Sequence, residues 1–142
     1  MKKEDKSLIL LEDLKMGRDK AFPEEYTKEV ENNLKLLAKV INNYLKDLGV
    51  EKRVIVSSGW RPSSLNKRVG GAKKSLHMLG LAVDILDDES QSLANLCLTR
   101  PDLLKKHKIW MEDPLYTKGK STNWVHIDLG KRSDRPLRIF KP

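Results

Sequence analysis

The segment SLHMLGLAVDIL, residues 75–86, limits what this chain can fold into more than any other. Leu81, Ala82, Val83, Ile85 and Leu86 form an apolar run with the content of a buried strand. Asp84 stands inside that run, and His77 lies just before it. A lone carboxylate in such a strand costs several kcal/mol unless something opposite compensates it. Asp84 must therefore cap a turn, pair with a lysine, or meet a metal ion.

The rest of the chain supplies a frame for that strand. Residues 4–16 read as a short helix ending at Gly17. A longer helix is expected to start at Pro23, where Glu24 and Glu25 suit the positive end of the dipole. Tyr26, Val30, Leu34, Leu37, Ile41, Leu45 and Leu48 then recur at helical spacing, and Gly49 closes the helix. RVIVSS (53–58) reads as a strand, followed by a long loop with Pro62 and the Gly70–Gly71 pair as breakers. The buried strand spans about Leu81 to Leu86, and a helix follows from about Glu89. Pro101 opens another short helix. IWME (109–112), NWVHIDL (123–129) and LRIF (137–140) are further strands, with PLYTKGKST as a hairpin loop. Helices at the front and strands behind give an α+β fold: a small, mostly antiparallel sheet with N-terminal helices packed on one face. At 142 residues the expectation is one domain over 1–142.

Charge and composition narrow the function without choosing it. A net charge of +8, from 28 basic and 20 acidic residues, favours a polyanionic partner. A nucleic-acid-binding role lacks support: aromatic residues are 6%, and neither a helix-turn-helix nor a zinc-finger spacing is present. No apolar stretch approaches the roughly 20 residues of a membrane span. The apolar run Leu8–Leu11 is shorter than the core of a signal peptide, about 7 to 15 residues. The single cysteine, Cys97, lies in the apolar stretch SLANLCL and reads as a small core residue. His107, in KKHK, reads as a histidine with no metal role.

Strand alternation separates core from site. In NWVHIDL, Val125, Ile127 and Leu129 share the core face, while Trp124, His126 and Asp128 share the other. Should this strand neighbour the one carrying Asp84, then His77, Asp84 and His126 converge. Two imidazoles and a carboxylate match a catalytic zinc site, which has three protein ligands and a fourth position for water.

The string S-x-H-x2-G-x-A-x-D (Ser75, His77, Gly80, Ala82, Asp84), followed by W-x-H at Trp124 and His126, resembles the zinc D-Ala-D-Ala carboxypeptidases and L-alanyl-D-glutamate endopeptidases. These include phage endolysins and bacterial cell-wall peptidases, and the Hedgehog signalling domain shares their fold. SSGWRP and NKRVGGAKKSLH are similar to the family's segments upstream of the first histidine, so the likeness covers roughly residues 54–129 and extends toward the C-terminal WVHID…RIFKP segment. It implies one zinc ion held by His77, Asp84 and His126, and hydrolysis of peptidoglycan stem peptides. It implies Arg61 in the cleft, gripping a substrate carboxylate or steadying an oxyanion. Ser75 would bind substrate or support the site, and Trp124 would form a wall of the cleft.

The chain departs from the family at the general base. Many relatives carry an acid three residues before the last histidine; here that residue is Asn123, which accepts no proton from water. Glu112 is the first replacement, since a hairpin after IWME would return it beside the metal. Asp128 is the second, though about 6 to 7 Å further along the strand from His126. Asp113 is the third. A zinc-binding module of the same fold without catalysis is the alternative. With no readable signal peptide, such a wall hydrolase is expected to be a monomer made in the cytoplasm that reaches the wall after release, as a phage lysis enzyme, a virion-associated one or a non-classically exported one would.

Overall fold

The computed structural model describes residues 6–133, 135 and 137–142. It is α+β. Two short helices, α1 (Leu11–Lys15) and α2 (Arg18–Ala21), precede the long α3 (Lys28–Asp47). After β1 (Val56–Ser58) come α4 (Ser63–Arg68), a 3-10 turn at Leu76–Leu79, and β2 (Ala82–Asp87). Helices α5 (Ser92–Leu98) and α6 (Pro101–Lys106) lead to β3 (Trp110–Glu112), a 3-10 turn at Pro114–Tyr116, β4 (Asn123–Asp128) and β5 (Ile139–Phe140).

The strands form one sheet in the order β1-β2-β4-β3-β5, antiparallel except for the β3–β5 pair. Alternation along β2 and β4 sends Val83, Ile85, Val125 and Ile127 into the core, each fully buried. Against them pack Leu34, Leu37, Ile41 and Leu45 of α3, Cys97 of α5 and Leu104 of α6. Burying such a side chain contributes about 1.5–3 kcal/mol, so the stripe on α3 is the main apolar cover of the sheet. The opposite face of β2 and β4 carries Asp84, Trp124, His126 and Asp128 and remains available for chemistry.

Several boundaries differ from the sequence expectation, each for a local reason. Helix α3 starts at Lys28 because Thr27 caps it, its hydroxyl accepting the Val30 N–H at 3.2 Å. Pro23 to Tyr26 lie outside, and Tyr26 packs edge-on against Trp60. Glu25 instead serves α4, accepting from the Ser64 N–H (3.2 Å) and hydroxyl (2.7 Å). That capped helix lies within what sequence reads as loop, with Pro62 and Gly70 as its flanks rather than breakers of a coil. Helix α5 starts at Ser92, not Glu89, because Asp88 accepts the Ser92 N–H while Asp87 accepts those of Leu93 and Ala94. Strand β1 is shortened at its start, where Val54 N–H bonds to the Leu8 carbonyl, and it bulges between Val56 and Ser58. The first helix begins only at Leu11; residues 4 and 5 of the expected span lie outside the described residues.

The end of α3 conforms. Gly49 adopts φ +87°, and Val50 N–H closes back on the Leu45 carbonyl. Cys97 is buried, which pushes its thiol up to about 11. His107 is partly buried, with Nε2 2.7 Å from a carboxylate oxygen of Asp47 and its ring edge-on to Tyr44. No helix among the described residues is long and apolar enough to cross a membrane.

Candidate metal centre

The β2–β4 register places Asp84 directly opposite His126. His77 arrives from the 3-10 turn ahead of β2. Ser75 caps that turn by accepting the His77 N–H at 3.2 Å, and Gly80 turns the chain into the strand. One ligand atom from each of His77, Asp84 and His126 lies within 4.8 Å of the others. Asp84 Oδ1 is 3.4 Å from His77 Nε2 and 2.8 Å from His126 Nδ1.

The other nitrogen of each ring is held from behind. His77 Nδ1 lies 2.9 Å from the Gly59 carbonyl, which only accepts, so the proton sits on Nδ1 and Nε2 faces Asp84. His126 Nε2 lies 2.8 Å from Asp128 Oδ2. Burial alone would lower the pKa of His126, but its bonds to Asp128 and Asp84 prevail and push it up to about 9. Burial would raise Asp84, yet the two imidazoles hold its carboxyl well below the usual carboxylate range.

This donor set fits a divalent metal. Ligand atoms around a tetrahedral zinc, at about 2.0–2.1 Å each, stand roughly 3.3 Å apart. The separations on Asp84 bracket that value. Both imidazoles already carry the outer hydrogen bond that aims the inner nitrogen. A cation on Asp84 also supplies the compensation that a buried carboxylate in β2 needs.

The three side chains sit on the floor of a cleft of about 360 Å³. Arg61, Lys74, Ser75, Glu112, Trp124 and Arg132 line its walls. A hollow of about 550 Å³ beside Leu98, Pro114, Leu137 and Ile139 is larger and more apolar, and its charged lining residues are Asp113 and Arg135, with no histidine among them. The guanidinium of Arg61 donates to Asn66 Oδ1 and to Ser58 Oγ, both at 3.1 Å. Glu112, at the end of β3, is half-buried. Burial pushes its carboxyl above the ordinary value, with Asp84 and Asp128 adding to the shift and His126 opposing it.

Of the other two acids considered as bases, neither presents a free carboxylate to the cleft. Asp128 is 1% exposed and accepts from His126, Gly130 and Arg132. Asp113 caps the Pro114–Tyr116 turn through the Leu115 N–H. Asn123 donates to the carbonyls of Asp88 and Glu89, so it anchors the loop before α5. Sequence reasoning missed Asn66 and Arg132. Asn66 stands first in the N-x2-V-G-G-A string, and Arg132 follows a buried acid by four positions; both spacings are visible in the sequence.

The profile of a family described as Peptidase M15 matches residues 10–128, from just before α1 to the end of β4. No curated protein matches the chain. The matched span contains the sheet strands that oppose Asp84 and His126, the turn that delivers His77, and the walls that carry Arg61 and Glu112. On that match, the chain belongs to the Peptidase M15 family.

Proposed function

We propose that the chain is a zinc-dependent hydrolase of peptidoglycan stem peptides, acting as one catalytic domain over residues 1–142. The peptidases of this family depend on zinc. The observation that carries the reading is the convergence of His77, Asp84 and His126 at the floor of a cleft whose wall holds Glu112.

His77, Asp84 and His126 would hold a zinc ion, which would supply a Lewis acid able to polarise a carbonyl and to make water acidic near pH 7. Glu112 takes the proton of the attacking water on its carboxylate and returns it to the leaving amine. Its raised pKa suits both halves of that task. Arg61 is fixed before substrate arrives by Asn66 and Ser58, so its fork meets a carboxylate or an oxyanion without reorganising. Trp124 and Ser75 bind along the walls. The net positive charge draws the monomer to an anionic wall. The enzyme is made in the cytoplasm and meets its substrate after release.

A second reading, zinc binding without turnover, is favoured by Asn123, whose amide is committed to backbone carbonyls at the position where many relatives have an acid. The test replaces His126 by Ala and measures D-Ala or cleaved stem peptides released from purified cell wall. Loss of release supports hydrolysis at this centre, and unchanged release overturns it. Wild-type protein that binds zinc but cleaves no muropeptide establishes the second reading.

A further inference from the structure

We infer that Arg132 and Phe140, which lie beyond the residues matched by the family, are positioning residues that complete the metal centre by holding Asp128 against His126. The inference rests on His126 being a metal ligand and not on hydrolysis.

Asp128 is the only described residue accepting from His126 Nε2. It is itself gripped by a fork: Arg132 Nη1 reaches Oδ1 at 2.7 Å and Nη2 reaches Oδ2 at 3.1 Å. The Gly130 N–H adds a third bond at 3.0 Å. The guanidinium lies 3.7 Å from the centroid of Phe140, and the same ring meets His126 edge-on at 5.7 Å. Phe140 belongs to β5, which pairs with β3 beside Glu112. The last strand thus touches the site twice: once on the ring of His126 and once through Arg132 and Asp128.

The consequence is a choice of nitrogen. While Asp128 stays in place it accepts the Nε2–H, so the Nδ1 lone pair points at Asp84 and the metal position. Without the fork, Asp128 is a buried carboxylate with no cation of its own. It then rotates or relaxes, and the imidazole loses its fixed orientation. Arg132 acts through Asp128 and contacts no ligand atom.

The sign of the effect makes the inference testable. On Coulomb grounds, deleting a nearby cation should tighten binding of a divalent cation. The positioning role demands the opposite. Zinc affinity is measured by chelator competition for wild type, Arg132→Ala, Arg132→Lys and Phe140→Ala, with Lys131→Ala as a control that removes one exposed charge outside the fork. We expect Arg132→Ala to weaken zinc about 10-fold or more, within the 10–100-fold typical of partners behind a ligand. Arg132→Lys keeps the charge without the fork and should recover only part of the loss. Phe140→Ala should weaken zinc by less, and Lys131→Ala should not weaken it. Long-range nitrogen–proton spectra of the zinc-loaded protein should show His126 protonated on Nε2 in wild type and a mixture in Arg132→Ala. Melting of the zinc-free variants separates a purely structural role, which would lower their stability while leaving affinity intact. Unchanged or tighter zinc binding in Arg132→Ala overturns the inference alone; a wild type that takes up no zinc overturns the metal reading along with it.

Discussion

Asp84 and His126 face each other across adjacent antiparallel strands, with Oδ1 and Nδ1 2.8 Å apart. Backbone hydrogen bonding of the sheet fixes that register, so the pair is positioned before any metal arrives. Asp84→Asn keeps the shape but replaces an anionic ligand with a neutral one. It should lower zinc affinity by about 100-fold or more, beyond what losing an outer partner costs. Metal analysis of protein purified without chelator checks this. Chelation should also lower the melting temperature of wild type, since a ligand present at about 1,000 times its Kd adds about 4 kcal/mol of stability. Asp84→Asn should show almost no such change.

What was legible in the sequence follows from periodicity, and what was not depends on contacts between distant segments. The stripe from Val30 to Leu45 and the alternation around Asp84 and His126 repeat at fixed intervals, and a one-residue slip in β4 would bury His126 and expose Val125. The start of α3 turned instead on which residue caps it, and Glu25 was drawn to Ser64 across 39 positions. The role of Arg132 depended on where Phe140 came to lie, and β5 pairs parallel to β3 across an intervening hairpin. Among the three acids offered as bases, the hairpin after IWME already put Glu112 first, and the packing adds that Asp113 and Asp128 are engaged by a turn and by a fork.

Glu112→Gln should separate stability from activity. Burial raises the Glu112 pKa in the folded protein, so the stability it contributes is present below its unfolded pKa and is lost as pH rises through the folded value. At neutral pH the charged carboxylate is therefore a small liability, and the neutral amide should leave the melting temperature equal or slightly higher. Hydrolysis should fall by about 10²–10⁴-fold, the usual contribution of a general base. Zinc content should stay at the wild-type level. Comparing kcat of wild type and Glu112→Gln at matched zinc loading decides it, and retention of activity would move the proton transfer to another group.

Zinc-free protein should become less stable in alkali. His126 is raised from 6.5 to about 9 by bonds to Asp128 and Asp84 that outweigh its burial. A histidine raised in this way stabilises the fold fully below its unfolded pKa, and that contribution disappears as pH rises from about 6.5 through 9. Thermal melts in chelator across this interval should show a falling midpoint, and His126→Gln should flatten the trend. The same melts with saturating zinc should fall less, since the metal takes the place of the proton. A midpoint that rises between these pH values would contradict the assignment.

Gly71 is required by the way Arg61 is held. A Cβ at this position would overlap Asn66 Oδ1 and approach the Arg61 guanidinium within 2.8 Å. Asn66 is 3% exposed and bridges two elements: its Oδ1 accepts from Arg61, and its amide donates to the Ala72 carbonyl at 2.9 Å. It can neither retreat into the core nor turn without leaving a buried polar group unpaired, which costs about 1–3 kcal/mol. Gly71→Ala should therefore displace Arg61 and leave the metal ligands alone, because His77 is set by Ser75 and Gly59. The expected pattern is full zinc content, a modest drop in melting temperature and a loss of kcat/KM of about 10-fold or more. Asn66→Ala should reproduce the catalytic loss by freeing the guanidinium. Arg61→Ala should then add little on top of either variant, since all three remove one fixed positive fork. A double-mutant cycle on kcat/KM measures that coupling, and additive losses in Asn66→Ala with Arg61→Ala would show that Asn66 acts on the cleft by some route other than Arg61.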